Sequence, residues 1–202
     1  IERLETYFSN DAWVWEKLAL TKARFIAGDA ILSKQLDSVI HKIVNKSHDR
    51  GVVGKAVGSM LNRIRKLQNE ESKWHLRTRD GGLVHLDLLV QAMRLENGNL
   101  FNDTGQSPLE ILDRLFAVEK INSTNFNELK AATSLFNEVH QCIRLTFGDE
   151  SLVPNTLPAR LQKFMLTRID LADEDHLALL LNASLDQVHN QLINYSRVEK
   201  AK

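Results

Sequence analysis

Apolar residues in this chain recur at helical spacing in one segment after another, and nowhere is there the sustained alternation of a strand. That pattern leaves few folds open. Residues 30–46 carry Ile31, Leu32, Leu36, Val39, Ile40 and Ile43, and 51–68 carry Val53, Val57, Met60, Leu61 and Ile64. A helix over 83–96 ends at Asn97–Gly98, and 69–82 reads as irregular. Ser107-Pro108 with Glu110 is a helix start: a capping serine, proline at the first position and a glutamate closing the box. Residues 124–146 form a long helix that Gly148 stops. Pro154 and Pro158 punctuate the next connection, a short helix follows over 158–167, and 174–197 carry the last. Toward the front, "DAWVWEKLALTKARFIAG" places Trp15, Leu18, Phe25 and Ile26 on one stripe. Gly28 is set to end that helix and Asp29 to cap the next. The expected fold is all-α, a bundle of about seven or eight helices. It is expected as a single helical domain over residues 1–202, with sub-bundles at 1–100 and 101–202 as the other division.

Composition narrows the partners. At 202 residues with 43% apolar and 26% charged side chains, the chain can bury a real core. Lys+Arg and Asp+Glu each number 26, so no bulk basic field exists for nucleic acid or an anionic membrane. No apolar run approaches the roughly 20 residues that span a bilayer. The one cysteine, Cys142, rules out an internal disulfide framework and suits a reducing, cytoplasmic setting. Charge is uneven along the chain. Residues 41–79 hold Lys42, Lys46, Arg50, Lys55, Arg63, Arg65, Lys66, Lys73, Arg77 and Arg79 against Asp49, Glu70 and Glu71. Two readings stand: solvated helix faces, or a basic wall toward a phosphate-bearing ligand.

Enzyme signatures within the chain fail one by one. His48–Asp49 has the order of a phosphohydrolase metal pair, but only His41 lies upstream, too near to serve. The histidines are scattered with no i, i+4 pair, so no metal site is expected. Gly58–Ser59 and Asp173–Asp175 resemble halves of a nucleotidyltransferase signature, far apart and without the rigid strand that two-metal chemistry needs. No catalytic residue is expected here.

Two blocks carry a resemblance. "AWVWEKLALTKARFIAGD" (12–29) is similar to the segment following the nucleotidyltransferase core of bacterial glutamine synthetase adenylyltransferase, which reads A-W-T-W-E-x-x-A-L-T-R-A-R-x-x-A-G-D. "LRTRDGGLVHLDLLVQ" (76–91) resembles that family's L-K-x-x-R-G-G-I-V-D-I-E-F-L-V-Q, through Leu76, Gly81, Gly82, Val84, Leu89, Val90 and Gln91. "QCIRLTFG" (141–148) is a looser match to the tail of the C-terminal half. The resemblance implies one helical domain of a bifunctional enzyme that adenylylates and deadenylylates glutamine synthetase, that of its C-terminal, adenylylating half. AMP would pass from ATP, with Mg2+, to a tyrosine of the synthetase. The implied partners are an adjacent nucleotidyltransferase core, glutamine synthetase and a P-II-type signal protein. The alternative is a stand-alone helical interaction module without chemistry.

Three positions depart from the family pattern: Asp80 for Arg, His85 for Asp and Asp87 for Glu. The nucleotide- or core-facing candidates are Arg24, Arg77, Arg79, Gly81, Gly82, Asp87 and Gln91. Each has a plainer reading: the glycines as a tight turn, and Asp87, Gln91 and Arg94 as a solvated stripe at i, i+4, i+7. A local pair with Glu16 is the plain reading of Arg24. Packing against neighbouring helices is that of Trp13 and Trp15.

Overall fold

A computed structural model describes residues 1–67, 72–148 and 152–197. Among the described residues there are nine α-helices, one 3-10 turn at Gly98–Leu100 and no strand, so the molecule is all-α. The helices are α1 (Glu2–Asn10), α2 (Val14–Leu20), α3 (Ala30–Val44), α4 (Arg50–Leu67), α5 (Leu83–Glu96), α6 (Pro108–Ala117), α7 (Ser123–Phe147), α8 (Ala159–Ile169) and α9 (Glu174–Ser196). Part of the segment expected to be irregular, 68–71, lies outside the described residues.

Local chemistry sets several ends as expected. The Ser107 Oγ accepts the Glu110 amide at 3.3 Å, and the Glu110 carboxylate accepts the Ser107 amide at 2.7 Å. Asp29 accepts the amides of Ile31 and Leu32, starting α3. Asp173 does the same for α9 through His176. Gly148 closes α7 at a φ of 72°.

α5 is the centre of the bundle. It packs on α2, α4, α6, α7 and α9, and Leu86, Leu88, Leu89, Val90, Ala92 and Leu95 are all buried. One continuous apolar core runs from Leu18 on α2 to Tyr195 on α9. A smaller cluster, Val39, Ile40, Ile43 and Val44 on α3, is closed by Leu4 and Phe8 of α1 and by Leu20 and Ala23. α1 is the helix for which no sequence expectation existed. It is short, and its apolar side chains acquire a partner only when α3 is in place.

The structure corrects the front of the chain. The helix expected to run to Gly28 stops at Leu20. Beyond it the amides tighten to i−3 carbonyls: Lys22 to Ala19 and Ala23 to Leu20. The buried Thr21 hydroxyl also donates to Leu18 O at 2.7 Å, and Thr21 O is taken by the Gly105 amide. A tertiary partner thus claims the carbonyl that another helical turn would need. Phe25 and Ile26, placed by period on a packed stripe, are exposed, Ile26 at 85%.

Trp13 is also exposed, at 70%, and does not pack against neighbouring helices. It is the residue before α2, and the Glu16 carboxylate holds its amide at 2.7 Å. Arg94 reverses its sequence expectation. It is fully buried, not on a solvated stripe. Its guanidinium donates to Val44 O and Asp103 O, each at 3.1 Å, and to Asn45 Oδ1, and it stacks over Phe101 at 4.0 Å. Burial lowers its pKa to about 10, so it stays charged at neutral pH and pins α3, α5 and the 101–106 connection together.

Candidate functional site

The two blocks singled out in the sequence come together in space. α2 packs on α5, and Lys22, just past α2, donates to Asp87 Oδ2 at 2.7 Å. Both side chains are half-exposed, so this pair marks where the first block meets the second at the surface. Gln91 follows one turn after Asp87 on α5 and is half-buried. Arg24 is elsewhere: it is exposed and lies against Gly105, whose added Cβ would stand 2.9 Å from its own. Glu16 is not its partner. That carboxylate takes the Tyr7 hydroxyl at 2.6 Å as well as the Trp13 amide.

The segment 76–82 folds into a closed turn. The Leu83 amide reaches back to Leu76 O at 2.9 Å and the Val84 amide to Arg77 O at 3.0 Å. The Gly82 amide bonds Arg79 O at 2.8 Å, and the Arg79 guanidinium donates to Lys73 O at 2.7 Å. The Leu83 and Val84 amides at the start of α5 are therefore spent on the turn's own carbonyls. Arg77 is exposed, which leaves its guanidinium as the turn's group for an outside anion.

Both glycines are buried and required. Gly81 has φ +77°, and a Cβ there would stand 1.8 Å from Leu185 O on α9. At Gly82 it would stand 2.0 Å from Leu76 O. The close backbone approach exists, and it is directed at α9 and at the turn itself.

Beneath the turn lies a cluster that sequence reasoning missed. His85 is fully buried in the first turn of α5, and its Nδ1 accepts the Gly81 amide at 2.8 Å. Asp80 Oδ1 stands 3.8 Å from His85 Nε2. The His189 ring on α9 stacks beside His85, centroids 6.0 Å apart and planes at 28°. Burial pushes the His85 imidazole down to about 4; Asp80 opposes the shift and His189 and Arg65 add to it. At neutral pH the ring is uncharged. Two of the three departures from the family pattern, Asp80 and His85, thus face each other. The signal was present only as a histidine at an apolar position of α5; its partner comes from α9, far along the chain.

The site as described offers a rigid turn, an exposed arginine and a half-exposed Lys22–Asp87 pair. These can hold an anionic group or a neighbouring surface. Asp87 is committed to Lys22, which does not fit a magnesium–nucleotide site built from these residues alone.

Comparison with known proteins gives these features a context. No protein-family model matches the chain. It is 31% identical over 172 residues to the "Bifunctional glutamine synthetase adenylyltransferase/adenylyl-removing enzyme" of Bartonella quintana (strain Toulouse), covering 85% of this chain and 17% of that protein. The enzyme of the same name from Agrobacterium fabrum (strain C58 / ATCC 33970) is 32% identical over 164 residues, 80% of this chain and 16% of its own length. That of Rhodopseudomonas palustris (strain BisB5) is 24% identical over 197 residues, 96% and 20%. The chain thus spans roughly a sixth to a fifth of the length of the relatives it matches. Across most of its residues this all-α chain is related to one segment of the bifunctional glutamine synthetase adenylyltransferase/adenylyl-removing enzymes.

Proposed function

We propose that this chain works as the helical domain of an enzyme that attaches AMP to glutamine synthetase and removes it again. The observation that carries the reading is its similarity, over 85% of its length, to a segment of a protein named for that activity. In this reading AMP moves from ATP, with Mg2+, to a tyrosine of the synthetase, and the metal-binding aspartates belong to a nucleotidyltransferase core outside these residues. A P-II-type signal protein regulates the whole. The helical domain supports the core and presents Arg77, with Arg79, Gly81 and Gly82 shaping the turn behind it, toward the core or its nucleotide. Asp87 and Gln91, with Arg24 from the first block, are assigned to interdomain contact.

The exposed apolar side chains support a domain that docks. Tyr7, Trp13, Trp15, Phe25, Ile26, Ile31 and Leu32 crowd the first 32 residues and stand open to solvent. Monomeric surfaces rarely keep apolar patches beyond a few hundred Å² uncovered. The occupant proposed for them is the nucleotidyltransferase core.

The test uses labelled ATP, magnesium and glutamine synthetase. The longer protein containing this chain should transfer label, and this chain alone should not. Arg77→Ala in the longer protein should lower transfer about tenfold, equivalent to about 1.4 kcal/mol in the barrier, with little change in melting temperature. Label transfer by this chain alone would refute the division of labour. Unchanged activity in Arg77→Ala would remove Arg77 from the site.

A further inference from the structure

Two nitrogen atoms at the base of the 76–82 turn, His85 Nε2 and His189 Nδ1, are buried and have no hydrogen-bond partner among the described residues. Such a group has given up its water without gaining a partner, which is costly. Both belong to the cluster that includes Asp80, and one ligand atom from each of the three residues lies within 4.8 Å of the others. Their environments differ usefully. His85 is fully enclosed, His189 is partly buried, and Asp80 is exposed at the rim, so the cluster has a solvent-facing side.

A bridging water would satisfy the two nitrogens. Two imidazoles and a carboxylate are also the donor set of a late first-row divalent ion, and an open fourth position takes water. We propose that Asp80, His85 and His189 form a three-ligand site for a divalent transition-metal ion of the zinc class. This assignment does not rest on the adenylyl-transfer reading.

The geometry needs a modest closure. Ligand atoms about 2.0–2.1 Å from a tetrahedral zinc stand about 3.3 Å from one another. His85 Nε2 and Asp80 Oδ1 are already at 3.8 Å. The remaining separations, up to 4.8 Å, can be closed by the exposed Asp80 side chain and the partly buried His189. Arg65 on α4 opposes added positive charge near His85, and the Asp80 carboxylate offsets it.

One contact must be given up. While His85 Nδ1 accepts the Gly81 amide, the neutral ring carries its proton on Nε2. With Nε2 on the metal, that proton sits on Nδ1, and the Gly81 bond is lost. The ion therefore binds more weakly than at a closed structural zinc site, by about tenfold for one lost hydrogen bond, and its binding loosens the turn at Gly81.

The test titrates cobalt(II), then zinc, into the 202-residue chain, stripped of metal with chelator. Visible absorption and calorimetry are the readouts. The expected result is one equivalent of cobalt with the intense bands of four- or five-coordination, displaced by zinc. Affinity should fall tenfold or more in His189→Gln and in Asp80→Asn, with helical circular dichroism unchanged. His85→Gln should do the same; if it fails to fold, the other two variants decide. No binding by the wild-type chain at millimolar zinc overturns the proposal. So does binding whose affinity is unchanged in His189→Gln, which would place the ion on surface histidines.

Discussion

At the scale of single residues, the departures at Asp80 and His85 fall on two side chains that face each other at 3.8 Å. Taken from the sequence alone, Asp80→Arg restores a family residue and looks harmless. In the structure Asp80 faces a fully buried imidazole with Arg65 nearby. An arginine there adds a second cation where a carboxylate now balances the first. Asp80→Arg is therefore expected to destabilise the chain, and His85→Asp alone to bury a carboxylate that faces the Asp80 carboxylate. The double variant Asp80→Arg/His85→Asp puts opposite charges back in contact. It should be more stable than the sum of the singles predicts, by about 1 kcal/mol. Urea denaturation of the four proteins in chelator measures this, and strict additivity would show the two positions to be uncoupled. Arg94 teaches a related lesson. Its i+7 relation to Asp87 put it on a polar stripe, yet it lies inside, held by carbonyls and Asn45 Oδ1.

At the scale of elements, the turn before α5 and the end of α7 make a matched comparison. Gly81 and Gly148 have nearly the same φ, +77° and +72°. An added Cβ meets Leu185 O at 1.8 Å at the first, and nothing within 4 Å at the second. Gly148→Ala should cost only the left-handed strain, about 1 kcal/mol. Gly81→Ala must also push α9 off the turn, adding roughly 1–3 kcal/mol of overpacking. Thermal unfolding of the two variants separates the contributions. Equal losses would mean that the α9 contact is soft. The same logic explains α2. Its apolar stripe continues to Ile26, but the Gly105 amide holds Thr21 O and the chain turns away. Capping boxes and glycine stops were legible because their partners lie within four residues. The stop at Leu20 was not, because its partner is over eighty residues downstream.

At the scale of the whole molecule, the apolar surface is unevenly distributed. Ile26 at 85%, Trp13 and Ile31 at 70% each, and Leu32 at 53% lie close together in sequence at the front of the bundle. The chain alone should therefore self-associate or bind a hydrophobic dye. Replacing Trp13 and Ile26 by serine should reduce both effects while leaving the melting temperature within about a degree, since neither side chain is in the core. Light scattering and dye fluorescence read the outcome, and a clean monomer without dye response would count against a docking face. The sequence by itself determined that the molecule is all-α and, to within a residue, where α3, α6, α7 and α9 begin. Those features depend on a helical period and on side chains bonding amides two or three residues away. Only the tertiary structure decided that Arg94 is inside, that Trp13 is outside, that Lys22 meets Asp87, and that His189 lies beside His85 and Asp80. α5 is apolar on nearly every face, so its period cannot say which polar residue turns inward. Contacts between residues far apart in the chain are settled by how helices fill space against one another, which no local spacing records.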